Sequence, residues 1–228
     1  MFRVIVANAK GGCGKTTIAT NIAGFFARQG RRTAIVDCDP QGSASAWCAD
    51  RPADVPAVAA VRCADANGLA AGWSLRIPAG TEYLVVDTPA GFRENQLAQL
   101  TRLAQVMLVP VLPSTLDLRA TLAFLEGVRR MPEVRCGALR VGLVANRVRD
   151  RTLAARELSA ALAGLDQPQL VRLRDSQRYV QLATAGLSLF DAARDVAAHR
   201  SDWVPLLGWL LRRPSSAASG HAAPEATV

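Results

Sequence analysis

The segment Lys10-Gly11-Gly12-Cys13-Gly14-Lys15-Thr16-Thr17 gathers two cations, three glycines and two hydroxyls in one short stretch. Glycines let a backbone turn its N–H groups inward, where they ring phosphate oxygens at the positive end of a following helix. In such a loop Lys15 reaches the β- and γ-phosphates, and the Thr16 hydroxyl can ligate Mg²⁺. The usual pattern G-x-x-x-x-G-K-S/T asks for glycine at position 9. This chain has Ala9 there and a second lysine, Lys10, at the loop's start. These two are the only lysines among 27 basic residues; the rest are arginine.

Carboxylates follow two other apolar runs, in Asp37-Cys38-Asp39-Pro40-Gln41 and in Asp87-Thr88-Pro89-Ala90-Gly91. Near phosphates, such acids hold Mg²⁺ through water and orient an attacking water. Alone, an Asp at a strand end reads as a helix cap. Two acidic strand ends beside a phosphate loop read as one site.

The elements that must position these residues alternate. Phe2 to Ala7 is an apolar, strand-like run, and Thr16 to Gln29 carries Ile18, Ile22, Phe25 and Phe26 at helical spacing before Gly30. Strands are expected at Thr33 to Val36, Ala57 to Val61, Tyr83 to Val86, Val106 to Val111, Leu139 to Ala145 and Gln169 to Leu173. Helices are expected at Ser43 to Ala49, Gln96 to Leu103, Leu116 to Arg130, Leu153 to Leu162, Gln177 to Ala185 and Trp203 to Leu211. The pattern predicts a doubly wound, mostly parallel α/β sheet flanked by helices, in one domain over residues 1–213. Ligands in such a fold bind outside the carboxyl ends of the strands. The Ala-, Ser- and Pro-containing stretch at 214–228 reads as a disordered tail.

The loop Lys10 to Thr17 and the two Asp segments, in this order, resemble the ParA/MinD family of deviant Walker A P-loop ATPases, most closely the small ParA type. The resemblance spans roughly residues 2 to 212. It implies ATP and Mg²⁺ as cofactors and an ATP-dependent homodimer. Gly11, Gly12, Cys13, Gly14 and Thr17 would line the nucleotide with the lysines and Thr16. Lys10 matches the signature lysine that reaches the partner's ATP phosphates, and Lys15 the lysine acting in cis. Thr16 matches the Mg²⁺ ligand, Asp87 the Mg²⁺-associated acid, Asp37 a residue of the magnesium shell, and Asp39 the one that positions the attacking water. Asn146-Arg147, after the strand at Leu139, match adenine-contacting positions. Arg149, Arg151, Arg172, Arg174 and Arg178 match a region that binds DNA without sequence preference, Arg178 best.

The implied function is positioning or segregation of a cargo: a plasmid, a chromosome origin, or a protein body such as a carboxysome. The implied partners are nonspecific DNA of the nucleoid and a small ParB-like or adaptor activator, in the cytoplasm. A net charge of +8 and a pI near 10.1 agree with an anionic partner. An apolar content of 50% excludes a globally disordered chain. No apolar stretch is long enough to span a membrane, and Met1-Phe2-Arg3 runs into a strand rather than a signal peptide. Trp203 to Arg213 has some character of a MinD-like membrane helix, but its spacing equally suits a helix packed on the sheet. A metabolic ATP-dependent enzyme is a further alternative. A nitrogenase-type iron protein is excluded, since no cysteine lies between Cys63 and Cys136. The cysteines lack metal-ligand spacing and read as reduced thiols, with Cys13 and Cys38 as small fillers.

Overall fold

The structure is a computed structural model that describes residues 1–63, 76–91 and 94–212. The expected tail at 214–228 lies outside the described residues, as does part of the region between Gln41 and Gly80.

The chain runs β1 (Phe2–Val6), α1 (Lys15–Arg28), β2 (Thr33–Asp37), α2 (Ser43–Ala49), β3 (Ala59–Arg62) and β4 (Tyr83–Asp87). Then come α3 (Glu94–Thr101), β5 (Val106–Val111), α4 (Thr115–Arg129) and the short α5 (Pro132–Arg135). The last elements are β6 (Arg140–Val148), α6 (Leu153–Ala163), β7 (Gln169–Arg174), α7 (Gln177–Thr184) and α8 (Ala197–Leu211). The strands form one seven-stranded sheet in the order β3-β2-β4-β1-β5-β6-β7. Every neighbouring pair is parallel, so the sheet is parallel throughout rather than mostly so.

Period-two alternation divides each strand between two cores. Val4 and Val6 of β1, with Val106 and Leu108 of β5, pack under α1, α2, α7 and α8. Ile5, Met107, Val109 and Val111 pack under α3, α4 and α6. Both faces are thus buried, as a parallel sheet requires. The strand β1 lies between β4 and β5, where the direction of winding reverses. A crevice opens at such a reversal, above the strands' carboxyl ends.

Two elements differ from expectation in a way that matters. β6 continues to Val148, so Asn146 and Arg147 lie within it rather than after it. The pairing of β6 with β7 is irregular between Ala145 and Val148, and Arg147 has a left-handed φ of 52°. Such a bulge re-aims successive side chains and does not interrupt the apolar pattern that predicts a strand. α8 begins at Ala197, well before Trp203; its first turns carry no apolar stripe and so leave no periodic signal in the sequence. Trp203, Leu206, Leu207 and Leu210 are buried against the sheet, whereas Val204 and Leu211 are exposed. The Trp203 indole N–H donates to the Tyr179 hydroxyl at 3.0 Å, which ties α8 to α7. The helix therefore spends its wide apolar face on the core.

Candidate functional site

The loop between β1 and α1 is built for an anion. Gly12 and Gly14 have left-handed φ values of 71° and 93°. A Cβ on Gly14 would collide with the Asn146 amide, so both the conformation and the space exclude a larger residue there. α1 starts with no side-chain cap and no acid in its first turn. Its first N–H groups and positive dipole end are left to a ligand. The Lys15 side chain is buried, and its Nζ donates to the Lys10 carbonyl at 3.0 Å.

Opposite Lys15 stand the carboxylates. The register pairs Asp37 with Asp87 across β2 and β4, so both emerge at the same level above the sheet. Asp87 is fully buried, and its Oδ2 accepts from Thr16 Oγ1 at 2.7 Å. Its Oδ1 is buried with no hydrogen-bond partner among the described residues. Burial pushes the Asp87 carboxyl up to about 7, with the nearby Asp37 adding to the rise while Thr16 and Lys15 oppose it. Asp37 is also buried, but both of its oxygens are engaged. Oδ1 accepts from the Asp39 N–H at 3.2 Å and Oδ2 from the Ser45 N–H at 2.7 Å. Asp39 is half-buried at the loop's rim, and its Oδ1 accepts from the Gln41 N–H at 3.0 Å.

The donor set fits Mg²⁺ with a nucleotide. A buried carboxylate oxygen with no partner costs free energy that a cation and its water shell would recover. Thr16 and Asp87 could hold such an ion, since both offer hard oxygen donors of the kind magnesium selects.

Three contacts here were not evident in the sequence. Asn8 is buried; its amide donates to the Pro110 carbonyl at 2.7 Å and Thr121 Oγ1 at 2.9 Å, and its Oδ1 accepts from the Lys10 N–H at 3.2 Å. It pins the start of the phosphate loop to β5 and α4. Asp117, in the first turn of α4, pairs with Lys10 at 2.9 Å. Lys10 is thus held outside the pocket that Lys15 occupies. Asn146 donates to the Cys13 carbonyl at 2.8 Å, so within this chain it buttresses the phosphate loop. Arg147 instead points outward, beside Asp117, Arg149 and Asp175 along a shallow groove. Cys13 is buried at the loop's base, and desolvation raises its thiol despite the Lys15 charge. Its sulfur donates to the Lys10 carbonyl, as a filler would.

A profile of the CobQ/CobB/MinD/ParA nucleotide binding domain matches residues 4–222. The chain belongs to this family. Its relatives include the maintenance of carboxysome distribution protein A of Halothiobacillus neapolitanus, 33% identical over 193 residues that make up 83% of this chain and 87% of that one. Among solved structures, a putative plasmid partition protein of Borrelia burgdorferi bound to AMPPNP superposes with a TM-score of 0.67 at 14% identity. That match covers 91% of this chain and 99% of the other. An Asp-to-Ala variant of McdA from Cyanothece in complex with ATP superposes with a TM-score of 0.61 at 19% identity, over 91% and 94% of the two chains. The CobQ/CobB/MinD/ParA fold is therefore present over nearly the whole described chain.

In this family member the arginines expected to face DNA lie at the far edge of the sheet, and three are already paired. Arg149 meets Asp175 at 2.7 Å, and Arg172 meets Asp150 at 3.4 Å. Arg174 grips both oxygens of Asp202, at 2.6 and 2.8 Å. Arg178 makes only long contacts, to Gln181 Oε1 and the Arg194 carbonyl, and its Nε is buried without a partner. Arg151 is exposed on a left-handed turn. The structure thus gathers the arginines along β6, β7 and α7. Among the described residues, no helix is long and apolar enough to cross a membrane.

Proposed function

We propose that this protein is a ParA-type ATPase that positions or segregates a cargo. It alternates between an ATP-bound dimer on nonspecific DNA and a released form. The observation that carries the reading is the constellation of buried Lys15 and Asp87 with half-buried Thr16 at the β1–α1 loop, one Asp87 oxygen having no hydrogen-bond partner among the described residues. The carboxysome distribution relative, similar over most of its length, supports positioning as the task.

Each residue has a role in the proposed hydrolysis of ATP to ADP and phosphate. The Gly11 to Thr17 backbone cradles the phosphates, with Lys15 neutralising them in cis. Thr16 and Asp87 would hold Mg²⁺, which would supply positive charge against the phosphates. Asp37 adds negative charge to that shell while holding the Asp39 N–H and the start of α2. Asp39 orients the attacking water. Lys10 leaves Asp117 and reaches the phosphates of the partner subunit, where a cation stabilises developing charge as an arginine finger does. Hydrolysis then waits for dimerisation, and an activator that completes the geometry releases the dimer. Asn146 and Arg147 border the nucleoside. The basic edge, with Arg178 and Arg151 least committed to internal acids, takes DNA phosphates without reading bases. The burial of Trp203, Leu206, Leu207 and Leu210 favours this reading over a membrane-cycling one.

Size-exclusion chromatography of wild type and Asp39→Ala with ATP and Mg²⁺ tests it. The expected result is a stable Asp39→Ala dimer that hydrolyses slowly. An Asp39→Ala protein that stays monomeric where wild type dimerises contradicts the assignment.

A further inference from the structure

Cys38 and Cys63 were far apart in sequence and carried no motif, yet their sulfurs lie 3.2 Å apart. The placement is imposed by backbone. β2 and β3 are parallel neighbours in which Asp37 pairs with Arg62. The β2–β3 ladder continues one residue further, since the Cys63 N–H donates to the Asp37 carbonyl at 3.0 Å, while the Cys38 N–H is held on the other side of β2 by the Asp87 carbonyl of β4, also at 3.0 Å. Neighbouring strands lie ~4.8 Å apart, within the ~4.4–6.8 Å between Cα atoms that a disulfide spans. Cys38 is buried, whereas Cys63 is partly exposed. No such neighbour is seen for the thiol of Cys13, whose hydrogen bond goes to a carbonyl.

We propose that Cys38 and Cys63 form an oxidisable dithiol that closes to an intramolecular disulfide under a peroxide oxidant. Hydrogen peroxide oxidises the Cys63 thiol to a sulfenic acid and releases one water. The Cys38 sulfur then attacks the Cys63 sulfur, forming the S–S bond; its proton leaves with the departing hydroxide as a second water. Two thiols are oxidised and one peroxide is reduced to two waters. A thiol reductant reverses the change by exchange. Transient disulfides of this kind are the form that reducing compartments allow.

The consequence follows from position. Cys38 sits between Asp37, which holds the start of α2, and Asp39, at the rim of the candidate site. Closing 3.2 Å to the ~2.05 Å of a disulfide pulls this segment toward β3 and fixes it there. Misplacing a reacting group by about 1 Å can cost roughly 100-fold in rate. The disulfide therefore slows hydrolysis, a consequence that rests on the ATPase reading above; formation of the bond does not.

The experiment treats the full chain with hydrogen peroxide, quenches with an alkylating agent under denaturing conditions, and maps cross-linked peptides by mass spectrometry. Cys48 shares the tryptic peptide of Cys38, so a Cys48→Ser background assigns the partner. The expected product is monomeric, 2 Da lighter before alkylation, and joins Cys38 to Cys63. It is absent from Cys63→Ser. ATP turnover falls at least about tenfold on oxidation, recovers with dithiothreitol, and is insensitive to peroxide in Cys63→Ser. Peroxide-treated protein in which both Cys38 and Cys63 remain alkylatable overturns the dithiol. A mapped Cys38–Cys63 disulfide with unchanged turnover overturns the clamp alone. Absence of turnover in the reduced protein strikes the ATPase reading and leaves the peptide map as the test of the dithiol.

Discussion

At the carboxyl ends of β1, β2 and β4, Lys15, Asp37 and Asp87 are 7%, 1% and 0% exposed. At the β6–β7 edge, Arg149 and Arg174 have side chains 77% and 43% exposed, and each meets an acid of the same chain. The two regions carry charge under opposite conditions. A buried charge costs several kcal/mol unless something compensates it. Among the described residues a buried Asp87 oxygen has no hydrogen-bond partner, which is what a bound cation would compensate. An exposed single contact contributes about 0–1 kcal/mol, so an arginine such as Arg149 can exchange an internal acid for an external phosphate at little cost, whereas Arg174 grips both oxygens of Asp202 and is held more firmly.

The largest effect expected from this contrast is on turnover. Asp39→Ala should lower hydrolysis by about 100-fold or more, the range of a lost proton-handling or water-orienting group, while leaving the phosphate cradle intact. Steady-state phosphate release beside ATP affinity checks it; a matching loss of affinity would merge Asp39 with the binding machinery. Next is Lys15→Ala. Removing one partner of a buried charge contact costs about 2–5 kcal/mol, so ATP affinity should fall roughly thirty-fold or more. Calorimetry with ATP and Mg²⁺ reads this directly, and unchanged affinity would displace the site.

Asp87 gives a pH signature in metal-free protein. Its folded value of about 7 lies above the ordinary carboxylate value near 3.8. Between those values the folded state binds more protons than the unfolded one, so this group's contribution to stability declines as pH rises through the window. Thermal melts in EDTA should show a shallower decline for Asp87→Asn than for wild type, and Mg²⁺ should raise the wild-type melting point more than the variant's. Identical pH slopes would mean that the carboxyl is not strained by burial.

The smallest effects belong to the arginine edge. Arg178→Glu should reduce the magnitude of the salt slope of DNA binding by about 1.8, two contacts per dimer at ~0.9 each, alike for unrelated sequences. Arg174→Glu should change it less, because Arg174 is already spent on Asp202. Equal effects of the two would erase the distinction between committed and available arginines.

Legibility in the sequence follows the same division. The phosphate loop, the Asp segments and the alternation of β1, α1, β2 and β4 were legible because local spacing specifies both chemistry and element. The parallel sheet followed from the alternation. Asn8 and Asp117 were not legible, since their roles depend on β5 and α4 meeting the loop from over 100 residues away. The Cys38–Cys63 approach needs the knowledge that β2 and β3 are neighbours in register. Asn146 illustrates a half-success. The resemblance assigns it to adenine; its contact with the Cys13 carbonyl arises at an irregular stretch of β6, a backbone event without a composition signal. The internal pairing of Arg149, Arg172 and Arg174 was hidden for the same reason, because Asp150, Asp175 and Asp202 reach them only after folding.

In the proposed cycle, nucleotide at the buried end controls DNA binding at the basic edge. Retention of wild-type protein on duplex DNA of unrelated sequences, measured with ATP, with ADP and without nucleotide, tests it most directly, with anionic liposomes in parallel. The account predicts retention that requires ATP and Mg²⁺, ignores sequence, weakens with salt and is absent from Lys15→Ala. Equal retention with and without nucleotide, or ATP-dependent sedimentation on liposomes with no DNA binding, would contradict it.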